Sequence, residues 1–190
     1  MIPLPRNRVY IASSLFLWIL AYCALYAGAQ LKFTPRLMGF NSLPLQLHVI
    51  WTLFGLLSAA ALLVLFKAFG YAESEMMVDL VPTTNVQRVL FVLLAVSAGV
   101  CEEIVFRGFM IPALFSKTNS LIVAVVISSA VFGILHIHQR PAGALRAGLL
   151  GAVLAVPFVS SGSIYPAMAA HTIIDIIGGF WLMKWMAKSQ

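Results

Sequence analysis

Six side chains able to move protons or hold charge lie in the second half of a 190-residue chain, inside stretches that are otherwise apolar: Glu102, Glu103, Arg107, His136, His171 and Asp175. The first three fall in residues 99–108, Gly-Val-Cys-Glu-Glu-Ile-Val-Phe-Arg-Gly. A charged side chain near the centre of a bilayer costs about 2.5–3.5 kcal/mol on insertion scales, so such residues take partners and mark functional sites. In a helix, residues four apart share a face while neighbours diverge by about 100°. Glu103 and Arg107 are therefore expected to pair, offsetting two buried charges, and Glu102 points elsewhere, free to act on something bound. Phe132 and His136 share a face of the next apolar run, and His171 and Asp175 share a face of the last.

Glu102, His136, His171 and Asp175 thus come from three helices, and such costly groups satisfy one another by converging. Two chemistries are then open. A carboxylate and a histidine gripping one water form a general base, and a second histidine with a hydrogen-bonding partner stabilises an oxyanion, which is metal-free amide hydrolysis. The same groups match a hydrolytic zinc site or an iron site. Against a metal, the chain has no His-Glu-x-x-His. His138 also sits about 200° round a helix from His136, so the two cannot share a centre unless the helix breaks there. His138, Gln139 and Arg140 are expected instead to cap the fourth apolar run, with Pro141 stopping it.

Other reactive residues are set aside. His48 reads as interfacial. Ser160, Ser161 and Ser163 make a turn, and no Gly-x-Ser-x-Gly elbow is present. Cys23 and Cys101 lack Cys-x-x-Cys spacing, so neither a disulfide framework nor a thiolate zinc site is indicated.

The elements that position the polar set follow from composition. Hydrophobic residues make up 62% and charged residues 9%, with mean hydropathy +0.99, against about 25% charged in soluble domains. The expected fold is all-α, a polytopic membrane bundle of about six transmembrane helices. The runs lie near 9–29, 47–69, 89–115, 121–137, 144–159 and 164–186. The fifth is short, carries Arg146 and Pro157, and fits a tight helical hairpin or a re-entrant segment. One membrane domain is expected over 1–190, its catalytic core at about 89–179.

The net charge of +6 does not call for nucleic acid, because the basic residues are scattered and flank apolar runs. Six spans put both termini on one side with Arg6, Arg8, Lys67, Arg88, Arg140, Arg146, Lys184 and Lys188, against Lys32, Arg36 and Lys117 on the other. By the positive-inside rule, both termini face the cytoplasm. The first run follows Arg6 and Arg8, but it is about 20 residues long with no small-x-small cleavage site, and reads as a retained span. Trp51, Trp181 and Trp185 read as interface anchors. The stretch 70–87, with Glu73, Glu75 and Asp79, reads as a solvated connector, with an interfacial helix around Met76 and Met77.

Glu102-Glu103-x-x-x-Arg107, Phe132-x-x-x-His136 and His171-x-x-x-Asp175, in this order and each on its own span, resemble the three motifs of the CAAX protease and bacteriocin-processing family of intramembrane glutamate proteases. Each motif is weak alone and the ordered set is strong. Residues 162–166, Gly-Ser-Ile-Tyr-Pro, are similar to the segment before the last motif in many members. The resemblance implies an intramembrane endopeptidase without metal or other cofactor, acting on a membrane-associated protein or peptide precursor in the bilayer. It implies that Glu102 activates water together with His136, that His171 and Asp175 hold the substrate carbonyl and the developing oxyanion, and that Glu103 and Arg107 support the site. Members resembling the Ras-converting enzyme carry asparagine where this chain has Asp175. An ionised aspartate would repel an oxyanion, so Asp175 is either protonated or serves to orient His171. Two other functions remain open, a non-enzymatic bacteriocin-immunity or sensor-type binder and a metal-dependent membrane hydrolase.

Overall fold

The computed structural model describes residues 5–70 and 79–188, with side chains through Trp181. The described elements are all helical: α1 Arg6–Gln30, α2 Leu45–Ala68, α3 Asn85–Glu103, a π-helix Ile104–Met110, α4 Ile111–Thr118, α5 Leu121–Leu135, a 3₁₀ turn Ile137–Gln139, α6 Arg140–Ser161 and α7 Tyr165–Lys188. The stretch Asn85–Thr118 is one continuous rod, so the described residues form six helical units. Four segments, Arg6–Gln30, Leu45–Ala68, Asn85–Thr118 and Ile137–Ser161, are long and apolar enough to cross a membrane, and α5 is a shorter apolar helix. The chain is a multi-pass helical membrane protein.

Helix limits follow local chemistry. Thr84 opens α3 with a capping box: its hydroxyl accepts from the Gln87 backbone N–H, and the Gln87 side chain accepts from the Thr84 N–H. Ser120 caps α5 with its hydroxyl alone, which accepts from the Val123 N–H. Asn119 and Gly162 end α4 and α6 in the left-handed conformation.

Two expectations need correction. The fifth apolar run is not short: α6 continues for 22 residues through Pro157, and the turn 162–164 joins it to α7 as the tight helical hairpin. Pro141 does not stop the fourth helix but stands in the first turn of α6, where its missing N–H costs no intrahelical bond. The break comes earlier, at His136, whose N–H turns back to Gly133 O and starts the 3₁₀ turn.

Within the membrane windows of α1 and α2 only 17% and 11% of residues are buried, against 39% and 44% in Asn85–Thr118 and Ile137–Ser161. Leu15, Phe16, Ile19, Leu57 and Val64 accordingly face outward, as lipid-contacting residues do. The interior is formed by α3 against α7 and α1, α5 against α6, and α2 along α6 and α7. The start of α7 is tied down by the loop after α1. Ile164 N–H donates to Gly39 O at 2.8 Å, and the Ser163 hydroxyl donates to Asn41 O at 2.7 Å.

At the other end, Arg6 donates to Asp79 O at 2.6 Å, and Val81 and Pro82 are buried, while Asp79, Thr83 and Thr84 are exposed as expected of a solvated connector. Glu73, Glu75 and the helix expected around Met76 and Met77 lie outside the described residues, as does the side chain of Trp185. Trp181 is half exposed and stacks under the Lys67 ammonium. His48 accepts a hydrogen bond from Leu43 N–H at the entry to α2, and both cysteines are free.

Candidate active site

The acidic pair sits where α3 passes into the π-helix. Glu103 is completely buried, and Arg107, 1% exposed, donates to its Oε1 at 2.6 Å. The wider π turn begins immediately after Glu103 and carries Arg107, a distortion that often accompanies functional sites. Arg107 also donates to Gly151 O on α6 at 2.8 Å and lies 5.5 Å above the Phe132 ring on α5. One guanidinium therefore ties three helices together through an ion pair, a carbonyl and an aromatic face.

His171, buried on α7, brings the carboxylates into one group. Its Nδ1 lies 2.8 Å from Glu103 Oε1. Because that oxygen belongs to a carboxylate already paired with Arg107, Nδ1 carries the proton and donates. The opposite nitrogen, Nε2, lies 3.7 Å from Glu102 Oε2 and 3.7 Å from Asp175 Oδ2. Glu102 and Glu103 do point in different directions, as the helical spacing requires, yet both reach His171 because they meet opposite edges of its ring. Glu102 and Asp175 are partly exposed, with side chains 18% and 35% accessible. The face of the cluster that they form is the one open to an incoming molecule.

His136 enters from the broken end of α5. Its Nδ1 donates to Phe132 O at 2.8 Å, which leaves Nε2 as the nitrogen that accepts when the ring is neutral. Among the described residues no ion-pair contact joins His136 to either glutamate. Its link to the cluster is Phe132, whose ring centroid is 4.5 Å from that of His136 and 6.1 Å from that of His171. Phe106 packs edge-on against the same ring at 4.9 Å.

The fold thus gathers Glu102, Glu103, Arg107, His171 and Asp175 directly, and His136 through Phe132. The sequence reading did not include the hydrogen bond from His171 to Glu103, the Gly151 carbonyl or the π turn. The helix break does place the His136 and His138 rings 5.7 Å apart, but His138 is exposed and donates to or accepts from no group of the cluster. Among the described residues no three His, Cys, Asp or Glu side chains are grouped as ligands for a metal ion.

Residues 84–177 match the family described as Rce1-like, type II CAAX prenyl endopeptidase Rce1-like. The chain carries a domain of this family. The matched region runs from the cap of α3 into α7 and contains all six of the polar residues considered above. Neither the curated proteins nor the solved structures gave a match. Through this domain of the Rce1-like CAAX endopeptidase family, the protein is a glutamate-type intramembrane protease. α1 and α2 lie outside the match and contribute the outer, lipid-facing flank of the bundle.

Proposed function

We propose that this Rce1-like protease is an endopeptidase that cleaves a membrane-associated protein or peptide precursor, using water activated by Glu102 together with His136. The observation that carries this reading is the fixing of both histidines through Nδ1, one by Glu103 Oε1 and one by Phe132 O. The reactive edge of each ring is therefore Nε2. Glu102, which makes no direct hydrogen bond to His171 at 3.7 Å, is the carboxylate available to a bound water.

In the attacking step a water proton passes to Glu102, with His136 Nε2 accepting from the same water, and the oxygen adds to the scissile carbonyl carbon. The developing oxyanion lies against Nε2–H of a protonated His171. Glu102 then returns the proton to the leaving nitrogen as the carbonyl re-forms and the C–N bond breaks; the new carboxylic acid gives its remaining water-derived proton to the amine, and the products are a carboxylate and an ammonium. With Glu102 and Glu103 ionised against Arg107 and protonated His171, the cluster is neutral when Asp175 keeps its proton. A protonated Asp175 can donate to the oxyanion beside His171, as an asparagine amide would. Prenylated proteins are the substrates named in the family's description, and other precursors at the membrane present the same bond.

The test is a comparison of protein termini in membranes and secreted material from cells carrying the wild-type chain or Glu102→Gln at matched expression. New termini confined to the wild type are expected, and their sequences give the specificity. Identical termini with a phenotype that persists in Glu102→Gln would replace the hydrolytic reading by a binding one. The basic-residue distribution supports a topology with both termini in the cytoplasm, which labelling of terminal cysteines in intact cells checks.

A further inference from the structure

Gly99 and Gly108 bracket the acidic motif, and the chemistry above uses neither. Gly99 is four residues before Glu103, on the same face of α3. A Cβ built at Gly99 would overlap Thr172 Oγ1 on α7 and lie 2.7 Å from Thr172 N and 2.9 Å from Thr172 Cα. The last two are backbone atoms, so no rotamer change relieves the overlap. Thr172 directly follows His171.

We propose that Gly99 is a positioning residue: the bare backbone contact between Gly99 and Thr172 sets the spacing of α3 and α7 that holds His171 Nδ1 against Glu103. Glycine is among the poorest helix formers, and it stands in mid-helix where close approach requires it. At Gly28 and Gly178, by contrast, the added carbon would be accommodated. At Gly28 it meets the Sδ and Cε of Met38, at 3.0 and 3.2 Å, the movable end of a flexible side chain. At Gly178 it meets nothing within 4 Å. At Gly99 the two helix backbones must part, and they part beside the 2.8 Å bond that fixes the histidine. A hydrogen bond stretched by several tenths of an ångström passes out of its effective range, and His171 loses the partner that keeps Nε2 turned toward Glu102 and Asp175.

The inference rests on His171 belonging to the cleavage site, and the experiment separates the two. Gly99→Ala is compared with wild type and with Gly28→Ala in nanodiscs, by peptide cleavage and by NMR of ¹⁵N-histidine-labelled protein, which reports the Nδ1–H bond to a carboxylate. Gly99→Ala is expected to lose that signature and to lower kcat by about 10²-fold, the loss that a misplacement of 1 Å brings, with KM unchanged. Gly28→Ala is expected to keep both. A Gly99→Ala protein with intact signature and wild-type kcat overturns the proposal. If Gly99→Ala does not accumulate, it is combined with Thr172→Ala, which removes the nearest overlapping atom, Oγ1, and leaves the overlap with Thr172 N and Cα; a double variant with wild-type kcat and signature also overturns the proposal, and one that is impaired or still fails to accumulate supports it. If the wild-type protein cleaves no peptide, the proteolytic reading fails, while the NMR comparison still decides the role of Gly99.

Discussion

His171 on α7 and Glu103 on α3 meet through one pair of atoms, Nδ1 and Oε1, 2.8 Å apart, and the same Oε1 receives Arg107 at 2.6 Å. Glu103 Oε2, by contrast, is buried without a hydrogen-bond partner. A single oxygen therefore anchors both the cation that braces three helices and the imidazole that faces Glu102 and Asp175. An amide could fill the same space, but it could not match the charge.

Glu103→Gln is accordingly expected to weaken folding more than any change at Glu102. It leaves Arg107 as a buried cation without its counter-charge, and breaking a buried pair in this way costs about 3–5 kcal/mol. Chemical unfolding in mild detergent reads the loss. Cleavage should fall as well, because His171 no longer has a carboxylate to hold its Nδ1 proton.

Glu102→Gln and His136→Ala should show the opposite balance. Glu102 makes only the 3.7 Å contact with His171, and His136, at a helix end, makes one hydrogen bond and one ring contact with Phe132, so both support the packing less than Glu103 does. Their stability is expected to stay near wild type while kcat drops by about 10²–10⁴-fold, the range for loss of a general base. A variant at Glu102 with full activity would remove it from the mechanism.

Asp175 distinguishes donation to the oxyanion from simple orientation of His171. If its proton is donated to the oxyanion, Asp175→Asn supplies an N–H in its place and keeps kcat within about tenfold, whereas Asp175→Leu removes the donor and loses about 10²–10³-fold. Equal losses in the two variants would show that the carboxylate acts on His171 instead. Single-turnover cleavage of one peptide by both proteins makes the comparison.

A permeant chelator is expected to leave cleavage unchanged. Glu103 Oε1 is already engaged by two donors, and the Arg107 guanidinium beside it opposes a cation in the same space. Loss of activity on chelation, with recovery on adding zinc or iron, would reinstate a metal-dependent hydrolase.

Much of this arrangement was legible in the sequence because it follows from helical period and hydropathy. The pairing of Glu103 with Arg107 needed only a spacing of four, and the six helical units needed only apolar length. The polar groups were expected to converge because none could remain alone in hydrocarbon. What escaped were features set by tertiary packing. Spacing on α3 separates Glu102 from Glu103 but says nothing of a ring that touches both from α7. The π turn after Glu103 leaves no period in so short a run, and a backbone acceptor such as Gly151 O has no side chain to advertise it. The break at His136 was hidden for another reason: Pro141 looked like a stop signal, although proline suits the start of a helix as well as the residue after an end.

The seam between α5 and α6 offers a last test, because it carries His136 and the Arg107 acceptor without belonging to the reacting groups. A Cβ at Gly133 would lie 2.7 Å from Ala144 O and 3.0 Å from Gly148 Cα, both backbone atoms of α6. Gly133→Ala must therefore push the two helices apart, and overpacking of this kind costs about 1–3 kcal/mol. Gly178→Ala makes the same chemical change on α7 where no atom lies within 4 Å of the new carbon. There the helix gains propensity without strain, and stability should rise by up to about 1 kcal/mol. Opposite signs for the two substitutions, read by unfolding under identical conditions, would show that close backbone contact and not glycine itself sets the cost; the same sign in both would place the Gly133 seam among surfaces that yield.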